Sequence, residues 1–251
     1  MLKFISIFLA ILSLSLFGCN TAENVVPPTN NSQELPPTAS PDEAVYLSSK
    51  VNSLCVRSSP SSTSKVLGYL DKDDLVEFKG TNGNYYETIF KEKKAYVHSS
   101  YVKTISFKIG SQKVENAISL ATTLLGYPYV WGSQRYHWGN GNLNTNYVHG
   151  EYDCSAFVQY VYFVSNNVEL DLTTRTQIDT GIVVDKSQLQ RGDLMFFTNA
   201  SRKNLTGREQ IGHVGIYFGD NYILHTASDH AVIEPISQTR WDYFITARRV
   251  I

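Results

Sequence analysis

The sequence predicts an α+β protein in which a small β-barrel precedes a second domain built from helices followed by an antiparallel sheet. Short apolar runs separated by turn sequences fill residues 44–105, as is typical of strands in a small barrel. After Lys108 the apolar spacing becomes helical, and strand-like runs dominate again only from Leu194 onward. The chain therefore divides into two folded units of different construction.

Composition narrows the classes of partner. The net charge is −1 over 251 residues, which argues against a nucleic-acid partner and against membrane binding by charge alone. Tyrosine, with 16 copies, is the commonest aromatic residue. Tyrosine suits half-buried sheet surfaces and grooves that face peptides or carbohydrates. We expect a globular monomer that binds no nucleic acid.

The N-terminus has the features of an export signal. Lys3 precedes an apolar stretch over residues 4–17 that is too short to span a bilayer. It ends in Leu16-Phe17-Gly18-Cys19, which resembles the lipobox of bacterial lipoproteins. The resemblance implies that residues 1–18 are a lipoprotein signal peptide and that lipid on Cys19 anchors the protein to a membrane of the bacterial envelope. A plain secretory signal is the alternative, and both imply export.

Residues 19–43 are polar, contain two Pro-Pro pairs and show no apolar period, so they predict a flexible linker. Within residues 44–105, Leu54-Cys55-Val56-Arg57-Ser58-Ser59-Pro60 and Ala95-Tyr96-Val97-His98 look like a bacterial SH3-like domain. That resemblance implies cell-wall binding or the shaping of a neighbouring active site, and a spacer that only packs against its neighbour is equally open. We expect Cys55 to be buried in this barrel.

The second domain, residues 106–251, begins with helices. Val114, Ala117, Ile118 and Ala121 form one apolar stripe, and Gly126 is placed to end that helix. A second helix begins at Cys154, with Asp153 as its expected N-cap. The strands expected after it are Leu194 to Phe197, His213 to Phe218, Tyr222 to His225, Ala231 to Glu234 and Tyr243 to Val250.

Cys154 is the candidate nucleophile. A thiol in the first turn of a helix lies in a partial positive charge, which favours the thiolate and is expected to lower its pKa. The charge of Asp153 acts in the opposite direction, so activation needs a nearby imidazole. His213 is the candidate, and the thiol of Cys154 is expected to be free.

His213 opens an alternating run in which Val214 and its even-numbered neighbours can be buried while His213 points to the other face. Gly215, on the face of His213, is expected to leave space for a ligand. The turn Gly219-Asp220-Asn221 predicts antiparallel pairing that brings His225 within a couple of residues of the position opposite His213. His225 can then hold the base in the correct tautomer.

Five segments together resemble the successive motifs of the NlpC-type cell-wall cysteine peptidases, in family order. They are Leu125-Gly126-Tyr127-Pro128-Tyr129-Val130-Trp131-Gly132, Tyr152-Asp153-Cys154-Ser155, Arg191-Gly192-Asp193-Leu194, Gly212-His213-Val214-Gly215 and Ile223-Leu224-His225-Thr226. The resemblance implies a circularly permuted papain-like fold and hydrolysis of peptidoglycan stem peptides, commonly at the γ-D-glutamyl to diamino-acid bond. It implies Cys154 as nucleophile, His213 as base and acid, and His225 as the third member.

The resemblance also implies substrate-binding residues. Family members with a preceding SH3-like domain often require a free N-terminal L-Ala, and the positions that contact it correspond to Asp153, Ser155 and Tyr129. Thr173 matches a hydroxyl residue that lines the same site, although Asp171 replaces the usual Pro. A carboxylate beside the nucleophile could bind a substrate ammonium. The alternative is that Asp153 only caps the helix.

Two insertions depart from the family pattern, at residues 133–152 and 199–210. The first either forms a wall of the groove or is a self-packed surface loop. A zinc site from His137 and His149 is conceivable but lacks Cys or carboxylate partners at ligand spacing. The basic residues of the second insertion either meet a substrate carboxylate or form a solvated charge run.

The sequence therefore predicts a peptidoglycan endopeptidase that uses no metal or organic cofactor and binds peptidoglycan peptides. An amidase or acyltransferase of the same superfamily is an alternative, since the same nucleophile and base serve those reactions. A cell-wall-binding lipoprotein with an inactive peptidase scaffold is another. The presence of Cys154, His213 and His225 together argues against an inactive scaffold.

Overall fold

The computed structural model describes residues 40–227 and 229–251. The predicted signal peptide, Cys19 and the linker as far as residue 39 lie outside the described residues. Within the part of the chain that is described, no helix is long and apolar enough to cross a membrane.

The first domain consists of eight strands and one short 3₁₀-helix. The elements are β1 (Glu43–Ser49), β2 (Leu54–Arg57), β3 (Val66–Leu70), β4 (Leu75–Glu77), β5 (Gly80–Asn82), β6 (Tyr85–Phe90), β7 (Lys93–His98), the 3₁₀-helix Ser99–Tyr101 and β8 (Val102–Lys108). They form two antiparallel sheets, in the orders β4-β1-β8 and β3-β2-β7-β6-β5. The short strands predicted for residues 44–105 are present.

Both sheets of the first domain contribute to one apolar core. Leu47, Val56 and Val97 are fully buried in it, and Cys55 in β2 is buried as predicted. β1 and β8 pair along their whole length, from Glu43 opposite Lys108 to Ser49 opposite Val102. The second strand of this pair, β8, leads into the second domain.

The two domains share a continuous apolar core. Phe107 of β8 packs edge-on against Phe218, with ring centroids 4.9 Å apart. Phe90 lies so close to Gly126 that an added Cβ there would come within 2.2 Å of the Phe90 ring. Gly126 also has a φ of 84°, so glycine is needed at this position for both conformation and space.

The second domain has four α-helices, two short 3₁₀-helices and a six-stranded antiparallel sheet. The elements are α1 (Gln112–Thr123), α2 (Cys154–Asn166), α3 (Thr174–Gln177), β9 (Ile182–Val184), the 3₁₀-helix Lys186–Gln188, β10 (Leu194–Phe197), the 3₁₀-helix Gly207–Gln210, β11 (His213–Gly219), β12 (Tyr222–Ala227), β13 (His230–Pro235), α4 (Gln238–Asp242) and β14 (Phe244–Arg249). The strand order is β13-β12-β11-β10-β14-β9. The α+β class is confirmed.

The start of α1 agrees with the sequence prediction, and its end does not. Ser111 caps α1 by accepting a hydrogen bond from the N–H of Val114, and the predicted apolar stripe is buried. The helix ends at Thr123, before the predicted Gly126, because Leu124 and Leu125 turn into the core. Gly126 shapes the chain after the helix, beside Phe90.

Candidate active site

Cys154 is the first residue of α2 and is buried, with a free thiol. Asp153 is the N-cap, and its Oδ1 accepts a hydrogen bond from the N–H of Ala156 at 2.8 Å. The N–H of Asp153 in turn donates to Ser133 Oγ at 2.7 Å. A parallel bridge between Tyr129 and Tyr152 fixes the chain just before the helix. Cys154 is therefore held in place by contacts on both sides of it in the chain.

The environment of Cys154 favours the neutral thiol at rest. Burial, followed by the charge of Asp153, raises the pKa of the Cys154 thiol to about 12. The backbone N–H groups of Val214 and Ser155 and the charge of Arg135 act in the opposite direction but do not compensate. The prediction that the helix start lowers this pKa is therefore wrong, because desolvation outweighs the helix charge.

The predicted histidine pair is formed. Asp220 and Asn221 have positive φ values of 46° and 67° and reverse the chain, so that β11 and β12 pair antiparallel. His213 Nε2 and His225 Nδ1 are 2.8 Å apart. The helix α2, which begins at Cys154, packs against β11, and Val214, next to His213, is buried in the same apolar cluster as Cys154. The strand that begins at His213 therefore lies beside the predicted nucleophile, Cys154.

The space beside Gly215 is filled by side chains of β12 and is not open to a ligand. A Cβ added at Gly215 would lie 2.6 Å from Ile223 Cδ1 and 3.0 Å from His225 Cβ. The expectation of free space at Gly215 is therefore wrong, since side chains of β12 fill it. The glycine allows the His225 side chain to lie close to β11.

Both imidazoles are neutral at rest. Burial, followed by the neighbouring His225, lowers the pKa of His213 well below its usual value. Burial also lowers the pKa of His225, although its hydrogen bond to Glu234 opposes the shift. Together with the raised pKa of Cys154, these shifts describe a resting site of thiol and neutral imidazole.

Sequence reasoning missed two charged residues behind the histidine pair. His225 Nε2 lies 3.0 Å from Glu234 Oε1, and the same oxygen accepts a hydrogen bond from Arg240 Nη2 at 3.0 Å. Burial alone would raise the pKa of Glu234, but His225 and Arg240 outweigh it and lower the pKa. The available signal was an acidic residue directly after the apolar run of β13, residues 231–233.

Sequence reasoning also missed Arg135, which forms hydrogen bonds with two of the predicted substrate-binding residues, Asp153 and Ser155. Its guanidinium donates to Asp153 Oδ2 from both Nη1 and Nη2 at 3.0 Å, and to Ser155 Oγ at 3.0 Å. It also donates to the carbonyl oxygens of Ser133 and Leu172. The signal was visible in the sequence, because Arg135 is the only Asp, Glu, Lys or Arg in residues 127–150.

The predicted substrate-binding residues lie around this ion pair. Asp153 Oδ1 accepts from Ser155 Oγ as well as from the helix, so Asp153 is both a helix cap and the partner of Arg135. Tyr129 is half-buried, and burial, then the neighbouring Cys154 and Asp153, raises its pKa. Thr173 precedes α3 and bonds Thr176 Oγ1 at 3.0 Å, next to the carbonyl that Arg135 holds.

The first insertion is packed against both domains, and Arg135 brings it to the site. Tyr147 stacks on Tyr160 of α2 at 5.6 Å, and His149 Nε2 lies 2.7 Å from Glu92 Oε2 in the first domain. His137 Nδ1 accepts the N–H of Gly139. His137 and His149 thus have different partners, and no group of three metal-ligating side chains occurs among the described residues.

Arg202 and Arg208, two basic residues of the second insertion, are paired with nearby carboxylates. Arg202 lies 3.5 Å from Glu209, and Arg208 pairs with Asp179. Arg175 lies 3.7 Å from the same Glu209. These contacts favour the interpretation of a surface charge run over a substrate-carboxylate site.

Comparison with known proteins agrees with this arrangement. The profile of the NlpC/P60 family matches residues 126–250, and that of the bacterial SH3 domain matches residues 52–103. A peptidoglycan DL-endopeptidase CwlO from Bacillus licheniformis is 33% identical over 51% of this chain and 26% of its own length. A gamma-D-glutamyl-L-lysine dipeptidyl-peptidase from Bacillus cereus is 28% identical over 51% of this chain and 33% of its own length.

A third relative is matched by this chain over a larger share of its own length. The murein DD-endopeptidase MepS/murein LD-carboxypeptidase of Escherichia coli K12 is 30% identical over 59% of this chain and 74% of its own length. The other two relatives are matched over about a quarter to a third of their length. With a relative of this identity and coverage, and with the family motifs gathered around one buried thiol, the chain belongs to the NlpC/P60 family.

Proposed function

We propose that this protein is a peptidoglycan hydrolase that cleaves the bond between D-glutamate and the diamino acid of the stem peptide. The observation that carries the proposal is that the helix beginning at the buried Cys154 packs against β11, the strand whose first residue, His213, is hydrogen-bonded to His225. The relatives that are a peptidoglycan DL-endopeptidase and a gamma-D-glutamyl-L-lysine dipeptidyl-peptidase support the choice of bond.

The mechanism begins from the neutral pair. Since Nε2 of His213 is committed to His225, Nδ1 is the nitrogen left to accept the proton of the Cys154 thiol. The sulfur attacks the γ-carbonyl carbon of D-glutamate as that proton moves. His213 then gives the proton to the departing amine of the diamino acid, the C–N bond breaks, and a thioester remains on Cys154.

Hydrolysis reverses the proton transfers. Water enters after the amine has left, and His213 takes one of its protons as the oxygen attacks the thioester carbonyl. The C–S bond then breaks, the proton returns to sulfur, and the glutamate carboxyl is released. The resting thiol and imidazole are restored, so no metal or organic cofactor enters the cycle.

The start of the stem peptide binds beside the nucleophile. Tyr129, Asp153, Ser155 and Thr173 surround this position, and Arg135 holds Asp153 and Ser155 in place. A free amino terminus would have to share the Asp153 carboxylate with Arg135. The protein acts in the bacterial cell envelope, where the lipid on Cys19 would hold it at a membrane.

The test is digestion of purified peptidoglycan sacculi with the protein and with the Cys154→Ala variant, with products separated by liquid chromatography and identified by mass. We expect soluble fragments with new D-glutamate ends from the wild type and none from the variant. Release that persists in Cys154→Ala would contradict the nucleophile. Binding to sacculi, with no release from them and no cleavage of the free peptide L-Ala-γ-D-Glu-diaminopimelate-D-Ala, would favour the wall-binding scaffold.

A further inference from the structure

Behind the two histidines, Glu234 and Arg240 form an ion pair that the proposed mechanism does not use. The hydrogen-bonded chain runs from His213 through His225 and Glu234 to Arg240, with contacts of 2.8, 3.0 and 3.0 Å. His225, in the middle, is fully buried, while the Glu234 side chain is 33% exposed and that of Arg240 is 24% exposed. The charged end of the chain is therefore nearer to solvent than the imidazoles.

The donors and acceptors along this chain can be assigned in order. An ionised carboxylate only accepts, so His225 Nε2 must carry the proton it donates to Glu234. A neutral imidazole has one protonated nitrogen, so His225 Nδ1 is bare and accepts from His213 Nε2–H. His213 Nδ1 is then also bare. That is the only tautomer in which His213 can take a proton from a thiol.

The ionisation of Glu234 is supported by its neighbours. Arg240 donates to the same Oε1 that His225 contacts, and these two contacts together lower the pKa of Glu234 although burial opposes the shift. Arg240 also lies over the Phe197 ring, 5.8 Å from its centroid. The guanidinium is thus held on both sides, and it holds the carboxylate toward His225.

We propose that Glu234 is a positioning residue that sets the tautomers of His225 and His213, and that Arg240 keeps the Glu234 carboxylate ionised and directed at His225. This inference rests on the proposed role of His213 as the base. During turnover His213 becomes an imidazolium, and the Glu234 carboxylate stabilises that charge through His225 without itself taking a proton.

Two variants separate the hydrogen bond from the charge. Glu234→Ala removes both, whereas Glu234→Gln keeps an acceptor oxygen for His225 and Arg240 and removes only the charge. For Glu234→Ala we expect kcat to fall about ten- to a hundredfold with little change in KM, the same range as when a metal-ligating histidine loses the partner that orients its ring. Glu87→Gln is the matched control, because Glu87 pairs with Lys94 in the first domain at 2.9 Å, and it should leave kcat unchanged.

The pH profile distinguishes positioning from a merely structural role. Glu234 raises the pKa of His225, so removing its charge should lower the pKa of the coupled imidazoles. The acidic limb of kcat/KM should therefore move to lower pH in Glu234→Gln. An acidic limb that stays in place would overturn the charge role.

Imidazole tautomers can be read without substrate, by long-range ¹H–¹⁵N correlation of protein labelled at histidine. We expect wild type to show His225 protonated at Nε2 and His213 bare at Nδ1, and Glu234→Ala to show a mixture. Wild-type spectra with the opposite tautomer, or unchanged spectra in a folded Glu234→Ala variant, would overturn the proposal. Because this measurement needs no turnover, it decides the inference even if the protein cleaves no peptidoglycan and the proposed function fails.

Discussion

Replacing Arg135 with methionine should destabilise the protein and slow the chemistry of Cys154. The Arg135 side chain is 13% exposed and that of Asp153 is 9% exposed, so the pair is largely removed from water. Methionine keeps most of the apolar stem and removes the guanidinium. Asp153 would keep only the donors on Ser155 and Ala156, and the carbonyls of Ser133 and Leu172 would lose their partner.

The expected magnitude follows from the burial of this pair. Removing one partner of a buried ion pair costs about 3–5 kcal/mol, because the remaining charge is left without compensation. The residual exposure of both side chains puts this pair at the lower end, about 3 kcal/mol in the free energy of unfolding. The thiol should also react more slowly, since Arg135 is one of the groups that lower the pKa of Cys154.

The assay is chemical denaturation followed by tryptophan fluorescence, since Trp131 and Trp138 flank Arg135 in the chain. Arg208→Met is the matched control: its pair with Asp179 is 61% and 46% exposed and should contribute less than about 1 kcal/mol. In the double variant Arg135→Met with Asp153→Asn the loss should be smaller than the sum of the single losses, because no unpaired charge remains. A loss below about 1 kcal/mol for Arg135→Met would show that the ion pair between Arg135 and Asp153 contributes no more than an exposed one.

Three further outcomes follow from the structure. Gly215→Ala should push His225 away from His213, because the new Cβ would lie 3.0 Å from His225 Cβ. We expect a loss of about 1–3 kcal/mol in the free energy of unfolding and a lower kcat. An unchanged kcat would contradict this expectation. Burial raises the pKa of Asp74 to about 7, above its unfolded value of about 3.9, so its contribution to stability falls as pH rises from about 4 to 8. At pH 8 Asp74→Asn should be more stable than wild type by at most about 4 kcal/mol, since each pKa unit corresponds to about 1.4 kcal/mol. The difference should narrow toward pH 4, and a difference independent of pH in urea titrations would exclude this cause. Because His213 and His225 have lowered pKa values in the folded state, they bind protons mainly after unfolding, so their contribution to stability should fall as pH drops below about 6.5; a His213→Ala variant that keeps the full acid-side slope in the same titration would contradict it.

The parts of the site that follow local rules could be predicted from the sequence. Asp153 before an apolar helical run predicts a capped helix start, and the turn at Asp220 and Asn221 predicts the antiparallel pairing that brings His225 to His213. Both features depend on residues that are close in the chain. The α+β class followed in the same way from changes in apolar period.

The parts that depend on three-dimensional surroundings could not be predicted in this way. The helix start suggested a lowered pKa for Cys154, but burial by the sheet raises it. Arg135 reaches Asp153 from 18 positions earlier in the chain, and a single Arg in a loop has no periodic signal. Arg240 meets Glu234 through the turn into α4, whose existence sequence reasoning also missed.

We propose above that Cys154 cleaves the bond between D-glutamate and the diamino acid of a peptidoglycan stem peptide. Its most direct test is mass spectrometry of the products formed from L-Ala-γ-D-Glu-diaminopimelate-D-Ala by the protein and by Cys154→Ala. We expect the wild type to release the dipeptide L-Ala-γ-D-Glu and the variant to cleave nothing. Cleavage at another bond, or dipeptide release that does not depend on Cys154, would contradict it.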